Sequence, residues 1–188
     1  MNQEKRDELL RGVVDYIHEH GVVGLSLRPL AAALGTSPRM LIYYFGSKEE
    51  LLVKAFTTDR PDLVTLAGGI STLDELQGVA LHMWAAISAG PLRRSTAVLL
   101  QVMGLSTTDT THAALTQFAA RSVPLWTDPL TDVLCRCGLP RPESRARATL
   151  LVSGLRGLLL DQLATGDVER TDAAARLMIE MVTRPVGA

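Results

Sequence analysis

Arg28, Arg39 and Lys48 stand in a stretch, residues 21–48, that contains no acidic residue. Tyr43, Tyr44 and Phe45, three of the eight aromatic residues of the chain, share that stretch. Cations beside tyrosines can contact phosphates and base edges. A guanidinium such as that of Arg39 can pair with a guanine edge, Met40 can touch a thymine methyl, and a tyrosine hydroxyl can bond a phosphate oxygen. Helix N-termini at Ser26-Leu27 and Thr36-Ser37 would add free N–H groups and partial positive charge as backbone clamps, and Lys48 would lie near the backbone. Leu41 and Phe45, at i and i+4, face the other way and would lock the segment onto its neighbours.

Other chemistries lack a constellation. The four histidines, 18, 20, 82 and 112, are scattered, and His18 and His20, two residues apart, point to different helix faces. Cys135 and Cys137 match no zinc or redox spacing and are too few for a disulfide scaffold, although a thiol sensor is conceivable. No nucleophile elbow, phosphate-binding Gly-Lys loop or dinucleotide fingerprint is present, so no enzyme, cofactor or metal is expected. The polar start, with no apolar segment after it, argues against secretion, and the longest uncharged run, 17 residues at 76–92, is too short for a membrane span. A cytoplasmic protein is expected. The net charge of −1 excludes a surface that is basic throughout, but it conceals the +3 of residues 21–48 between a −2 segment at 1–20 and another at 49–70.

The elements that must position these residues are all helical, since no alternating period-2 run occurs. Leu10, Val13, Val14 and Ile17 make one face of a helix over Gln3–His20, stopped by Gly21. Ser26 should cap a short helix over 27–34 that ends at Gly35. Ser37 should cap the next, Pro38–Phe45, with Pro38 at the first helical position, where its missing N–H costs nothing. Ser47 with Glu50, and Thr72 with Glu75, have the spacing of capping boxes for two further helices. Helices are also expected over 92–105, over 109–138 with Asp109 as cap and with Pro124 and Pro129 kinking or splitting it, over 143–165, and over Val168–Thr183, followed by a frayed tail with Pro185 and Gly187.

Two short helices joined by a turn of about four residues have the form of a DNA-binding helix-turn-helix. The same pattern also suits an ordinary three-helix core whose tyrosines pack, which would make the chain a helical interaction module without a DNA partner.

The run LSLRPLAAALGTSPRMLIYYFGSKEELL at residues 25–52 resembles, in order and spacing, the N-terminal signature of the TetR family of bacterial transcriptional regulators. The likeness covers roughly residues 5–56. It implies an all-α fold, with a helix-turn-helix DNA-binding domain over 1–47 and a helical ligand-binding and dimerisation domain over 48–188. It also implies DNA contacts at Ser26, Arg28, Thr36, Ser37, Pro38, Arg39, Met40, Tyr43, Tyr44 and Lys48. Ile42 stands where a tyrosine is common in the family, and Tyr44 where histidine is frequent. A homodimer formed by the last two helices is further implied. Leu151, Leu155, Leu158 and Leu159, and Leu177, Met178 and Met181 with Ala174 and Val182, offer apolar stripes for it, and Gly154 and Gly157 would allow close helix approach; the stripes must also serve in part as the subunit's own core. Residues 71–135 are where family members hold a small ligand. His82, Met83, Trp84, Ile87, Leu99, Gln101, Met103, Phe118 and Trp126 would suit a mostly hydrophobic pocket, each being equally suited to a core. The expected function is that of a regulator, most simply a repressor, which binds a near-palindromic operator and is released by a small molecule.

Overall fold

A computed structural model describes residues 2–22, 24–58, 67–108 and 113–185, and among them all regular structure is helical. The helices are α1 (Gln3–His20), α2 (Leu27–Ala33), α3 (Pro38–Phe45), α4 (Lys48–Thr58), α5 (Leu73–Ser88), α6 (Arg93–Thr108), α7 (Ala113–Ser122), α8 (Pro124–Arg136), α9 (Arg141–Thr165) and α10 (Val168–Thr183). They pack into two compact units, one of residues 1–60 and 94–120, the other of 61–93 and 121–188. These units do not coincide with a division at residues 47/48, because α4, α6 and α7 share the core of the N-terminal helices.

Most boundaries follow from local hydrogen bonding. Asn2 caps α1 by accepting from the Lys5 N–H, and Gly21 ends it at φ +73°, a backbone that only glycine adopts without strain. After α2, Gly35 at φ +61° lets the Thr36 N–H return to the Ala31 carbonyl at 2.9 Å, which closes the helix and turns the chain toward α3. Ser37 caps α3 by accepting from the Met40 N–H at 3.3 Å. Thr72 and Glu75 form a complete capping box on α5. In the expected Ser47 box only the Ser47 half forms, at 3.0 Å, since the Glu50 carboxylate lies over Gly46 instead.

Other expectations are corrected. The Ser26 backbone is extended as a cap requires, but its hydroxyl makes no capping bond. The region over 109–138, expected to be kinked or split at Pro124 and Pro129, is divided at Pro124, which opens α8 after α7, but α8 runs on through Pro129 without a break. α9 starts at Arg141 rather than 143, because Pro142 falls in the first turn, where a missing N–H breaks no bond. Asp109, His112 and Gly187 lie outside the described residues.

The first unit has one apolar core. Leu9, Val13 and Ile17 of α1, Leu30 and Ala31 of α2, Leu41 and Phe45 of α3 and Leu51, Leu52 and Ala55 of α4 pack with Val98 and Val102 of α6 and Phe118 of α7. Phe45, 1% exposed, also has the Arg6 guanidinium 5.6 Å and the Lys54 ammonium 5.9 Å from its ring centre, within cation–π range. A Cβ on Gly12 would come within 2.5 Å of Leu34, so the absence of a side chain there lets α2 lie close on α1.

In the second unit, side chains join helices that are distant in sequence. Arg147 of α9 donates to the Val182 and Arg184 carbonyls at the end of α10 and pairs with Glu143. Trp84 of α5, 1% exposed, donates its indole N–H to Asp172 of α10 at 2.8 Å. The Asp172 carboxyl is held below its usual range by Arg176 first and by Trp84 second. N–H groups of Ser71, then its hydroxyl and the Thr72 N–H, lower that of Glu75. A carboxylate depressed in the folded state stabilises above its unfolded pKa, and that contribution disappears as pH falls through the folded value. Thermal stability should therefore be level near neutrality and drop in acid below about pH 4. Glu75→Gln keeps the cap geometry but removes one titrating group, so its acid slope in a melting series should be shallower than that of the parent chain. An identical slope would remove Glu75 from the account.

Candidate nucleic-acid interface

α3 is amphipathic at right angles to its job of packing. Leu41 and Phe45 are 0% and 1% exposed in the core, while Met40 and Ile42 are each 38% and Tyr43 63% exposed. Leu41 and Phe45 anchor the helix from below, which fixes the direction of the outward face. Ser26, Arg28, Ser37, Pro38, Arg39, Met40 and Tyr43 are exposed, and Thr36, Tyr44 and Lys48 are half-buried. All ten residues implied as DNA contacts thus retain accessible surface, on α2, α3, the turn between them and the first residue of α4.

The electrostatics of this face differ from those of the second unit. There, Arg147, Arg170, Arg176 and Arg184 each pair with a carboxylate. Arg28, Arg39 and Lys48 make no ion pair among the described residues, so their charges remain available to a polyanion. The tyrosines differ from each other. Tyr44 packs against the core, whereas Tyr43 stands edge-on to it with ring centres 5.3 Å apart and its ring in solvent. Tyr43→Phe should leave the melting temperature unchanged and weaken operator binding by about 1 kcal/mol, the worth of one hydrogen bond. Equal binding by both forms across a salt titration would remove the phosphate role of its hydroxyl.

The residues proposed to line a ligand pocket divide between the units. Leu99, Gln101, Met103 and Phe118 belong to the first, His82, Met83, Trp84, Ile87 and Trp126 to the second. Phe118 packs on Phe56 with ring centres 5.4 Å apart, and Trp84 is engaged by Asp172. Gln101 of α6 accepts the Val22 N–H at 3.2 Å, pinning the loop between α1 and α2. No signal in the sequence could have found that bond, which spans 79 residues. A Cβ on Gly21 would lie 3.1 Å from Gln101 Oε1, at φ +73°. Gly21→Ala should therefore cost about 1–3 kcal/mol in urea unfolding, because positive φ with extended ψ is a backbone region essentially confined to glycine; full stability would show that the loop adapts.

The proposed dimer stripes divide as well. Leu151, Leu155 and Leu159 are 4%, 7% and 0% exposed, hence part of the chain's own core, and Leu158 is half-buried. Gly154 accommodates Met178 of the same chain, whereas Gly157 has no neighbour within 4 Å of where a Cβ would be. Leu150, Leu160, Leu177 and Met181 are 53–57% exposed and form the outward apolar surface of α9 and α10. Cys135 and Cys137 are free, half-buried thiols. Burial pushes that of Cys137 above its usual value, with Arg136 opposing, which disfavours the reactive thiolate. No group of three or more metal-ligating side chains occurs among the described residues, and no described helix is long and apolar enough to cross a membrane.

Two short helices joined by a tight turn on a three-helix core, with one face of the second turned outward, define a helix-turn-helix fold. Residues 9–55 match the sequence model of the bacterial regulatory proteins, tetR family. Solved structures of similar fold include a TetR transcriptional regulator from Legionella pneumophila (TM-score 0.74, 19% identity, covering 98% of each chain). Another is NalD, the secondary repressor of the MexAB-OprM multidrug efflux pump in Pseudomonas aeruginosa (TM-score 0.69, 18% identity, covering 97% of this chain and 96% of that one). A third is the multidrug binding protein EbrR complexed with proflavin (TM-score 0.61, 19% identity, covering 92% of this chain and 98% of that one). No curated protein matches the sequence. The chain thus matches the N-terminal model of that family over residues 9–55 and has a fold similar to that of solved TetR-family transcriptional regulators.

Proposed function

We propose that the chain is a ligand-responsive repressor that binds a near-palindromic operator as a homodimer and releases it when a small, mostly hydrophobic molecule binds. The observation that carries this reading is the α3 face, where an exposed Arg39, Met40 and Tyr43 share a surface with cations that have no carboxylate partner among the described residues. Three positive charges in the acid-free stretch are few for phosphate binding, so useful affinity calls for two copies acting together. The exposed apolar residues Leu150, Leu160, Leu177 and Met181 are available for pairing with a second copy, and a two-fold axis would set the recognition helices in successive major grooves about 34 Å apart. The small-molecule part draws support from EbrR, whose structure holds proflavin, and the repressor part from NalD. Release requires the effector to bind one arrangement of the dimer more tightly than the other, by about 1–3 kcal/mol of coupling.

The test is to sequence the DNA that the purified chain retains from genomic fragments. Recovery of a near-palindromic motif supports the reading. Failure to retain any duplex at low salt, the protein's own promoter region included, would favour the helical interaction module instead.

A further inference from the structure

Arg93 opens α6 with a half-buried side chain, and its Nη1 donates to two neutral oxygens, the Ser88 carbonyl and Gln162 Oε1 at 2.9 Å. It forms no ion pair among the described residues, in contrast to Arg147 of α9 and to Arg170 and Arg176 of α10. Since a guanidinium only donates, the Gln162 atom facing it must be the oxygen, which orients the amide. Gln162 is 2% exposed, yet its Nε2 donates to nothing among the described residues. No sealed side-chain nitrogen or oxygen among those residues lacks a partner, so Nε2 reaches accessible space from within an otherwise buried residue. The inventory is one-sided. Arg93 Nε and Nη2 and Gln162 Nε2 offer several N–H donors, and no carboxylate among the described residues pairs with them. The residues one turn earlier on the same helices are apolar, Trp84 before Ser88 on α5 and Leu159 before Gln162 on α9, 1% and 0% exposed, with the Trp84 indole N–H taken by Asp172.

We propose that Arg93 and Gln162 form the recognition point for a carboxylate, and that the effector is a small organic acid with an apolar body. The planar guanidinium and the amide together match the two oxygens of a carboxylate, and partial burial strengthens such a charge-assisted pair. This rests on the reading of the chain as a ligand-responsive regulator and gives the ligand a chemical class.

The experiment uses the full chain with Trp126→Phe, so that Trp84 is its one tryptophan, and needs no DNA. Straight-chain and phenyl-substituted carboxylic acids are each titrated beside the corresponding amide, with Trp84 emission and thermal melting as readouts, and inorganic phosphate serves as an anion without an apolar body. Some acids should bind saturably and raise the melting temperature, with their amides at least about tenfold weaker and phosphate without saturation. Gln162→Glu would give Arg93 a carboxylate of its own; that variant should stay folded and lose acid binding, and Arg93→Lys should retain part of it. Acids binding no better than amides, no member of the series binding, saturable phosphate binding as tight as that of the acids, or a folded Gln162→Glu chain that binds acids as before would overturn the proposal. Because operator binding is measured separately, a chain that fails here can still bind DNA, and a chain without an operator can still pass.

Discussion

For the proposed homodimer, Leu177→Asp should convert dimer to monomer in sedimentation and lower operator affinity by about 10²-fold or more, the avidity lost when two linked half-site contacts become independent. The leucine is 57% exposed in the single chain, so an aspartate there should change the subunit's own stability by no more than about 0.5 kcal/mol. Between two copies, the same carboxylate would be desolvated opposite its symmetry mate, which costs several kcal/mol of association. Fold and assembly are thereby separable: circular dichroism should be unchanged while the sedimentation coefficient falls. An analogous change at Leu159, 0% exposed, would instead unfold the chain and could not discriminate. A persisting Leu177→Asp dimer would place the interface elsewhere.

Arg39→Ala is expected to relax base preference at one position in each half-site and to cost about 1–3 kcal/mol per contact if the guanidinium pairs bidentately with guanine. Arg39 is the second residue of α3, is exposed, and has no competing carboxylate among the described residues, so it can be withdrawn without leaving a buried partner unsatisfied. Selection of bound sequences from a randomised operator distinguishes its role from that of Lys48. Lys48→Ala should weaken all sequences alike and reduce the salt dependence, whereas Arg39→Ala should alter which sequences are recovered. An unchanged sequence preference in the Arg39 variant would assign it to phosphate contact only.

Helix α3 could be read from the sequence because its signals are short-range. Ser37, Pro38, Gly35 and Gly46 act on hydrogen bonds within a few residues of themselves, so α3 was expected over the same residues it occupies. The outward set of Arg39, Met40 and Tyr43 followed once Leu41 and Phe45 were assigned inward by periodicity. Periodicity did less well for the long C-terminal helices. Along Leu150–Leu151 and Leu158–Leu159–Leu160 nearly every position is apolar, so a one-residue rotation of the helix leaves the pattern looking equally good, and the choice between core and outward face could not be made from one chain. The structure turns Leu151, Leu155 and Leu159 inward and leaves Leu150 and Leu160 outside.

The sequence by itself determined where the helices of the N-terminal motif start and stop and that their acid-free surface suits a polyanion, since both follow from caps, glycines and charges within one or two turns. Only the tertiary structure decided which long-range partners meet. Val98, Val102 and Phe118 complete the core of the first unit. Gln101 holds the Val22 N–H across 79 residues, and Arg93 finds Gln162 across 69. The physical reason is that a backbone cap is set by neighbours in the chain, whereas the partner of a buried amide or guanidinium is whatever packing brings beside it.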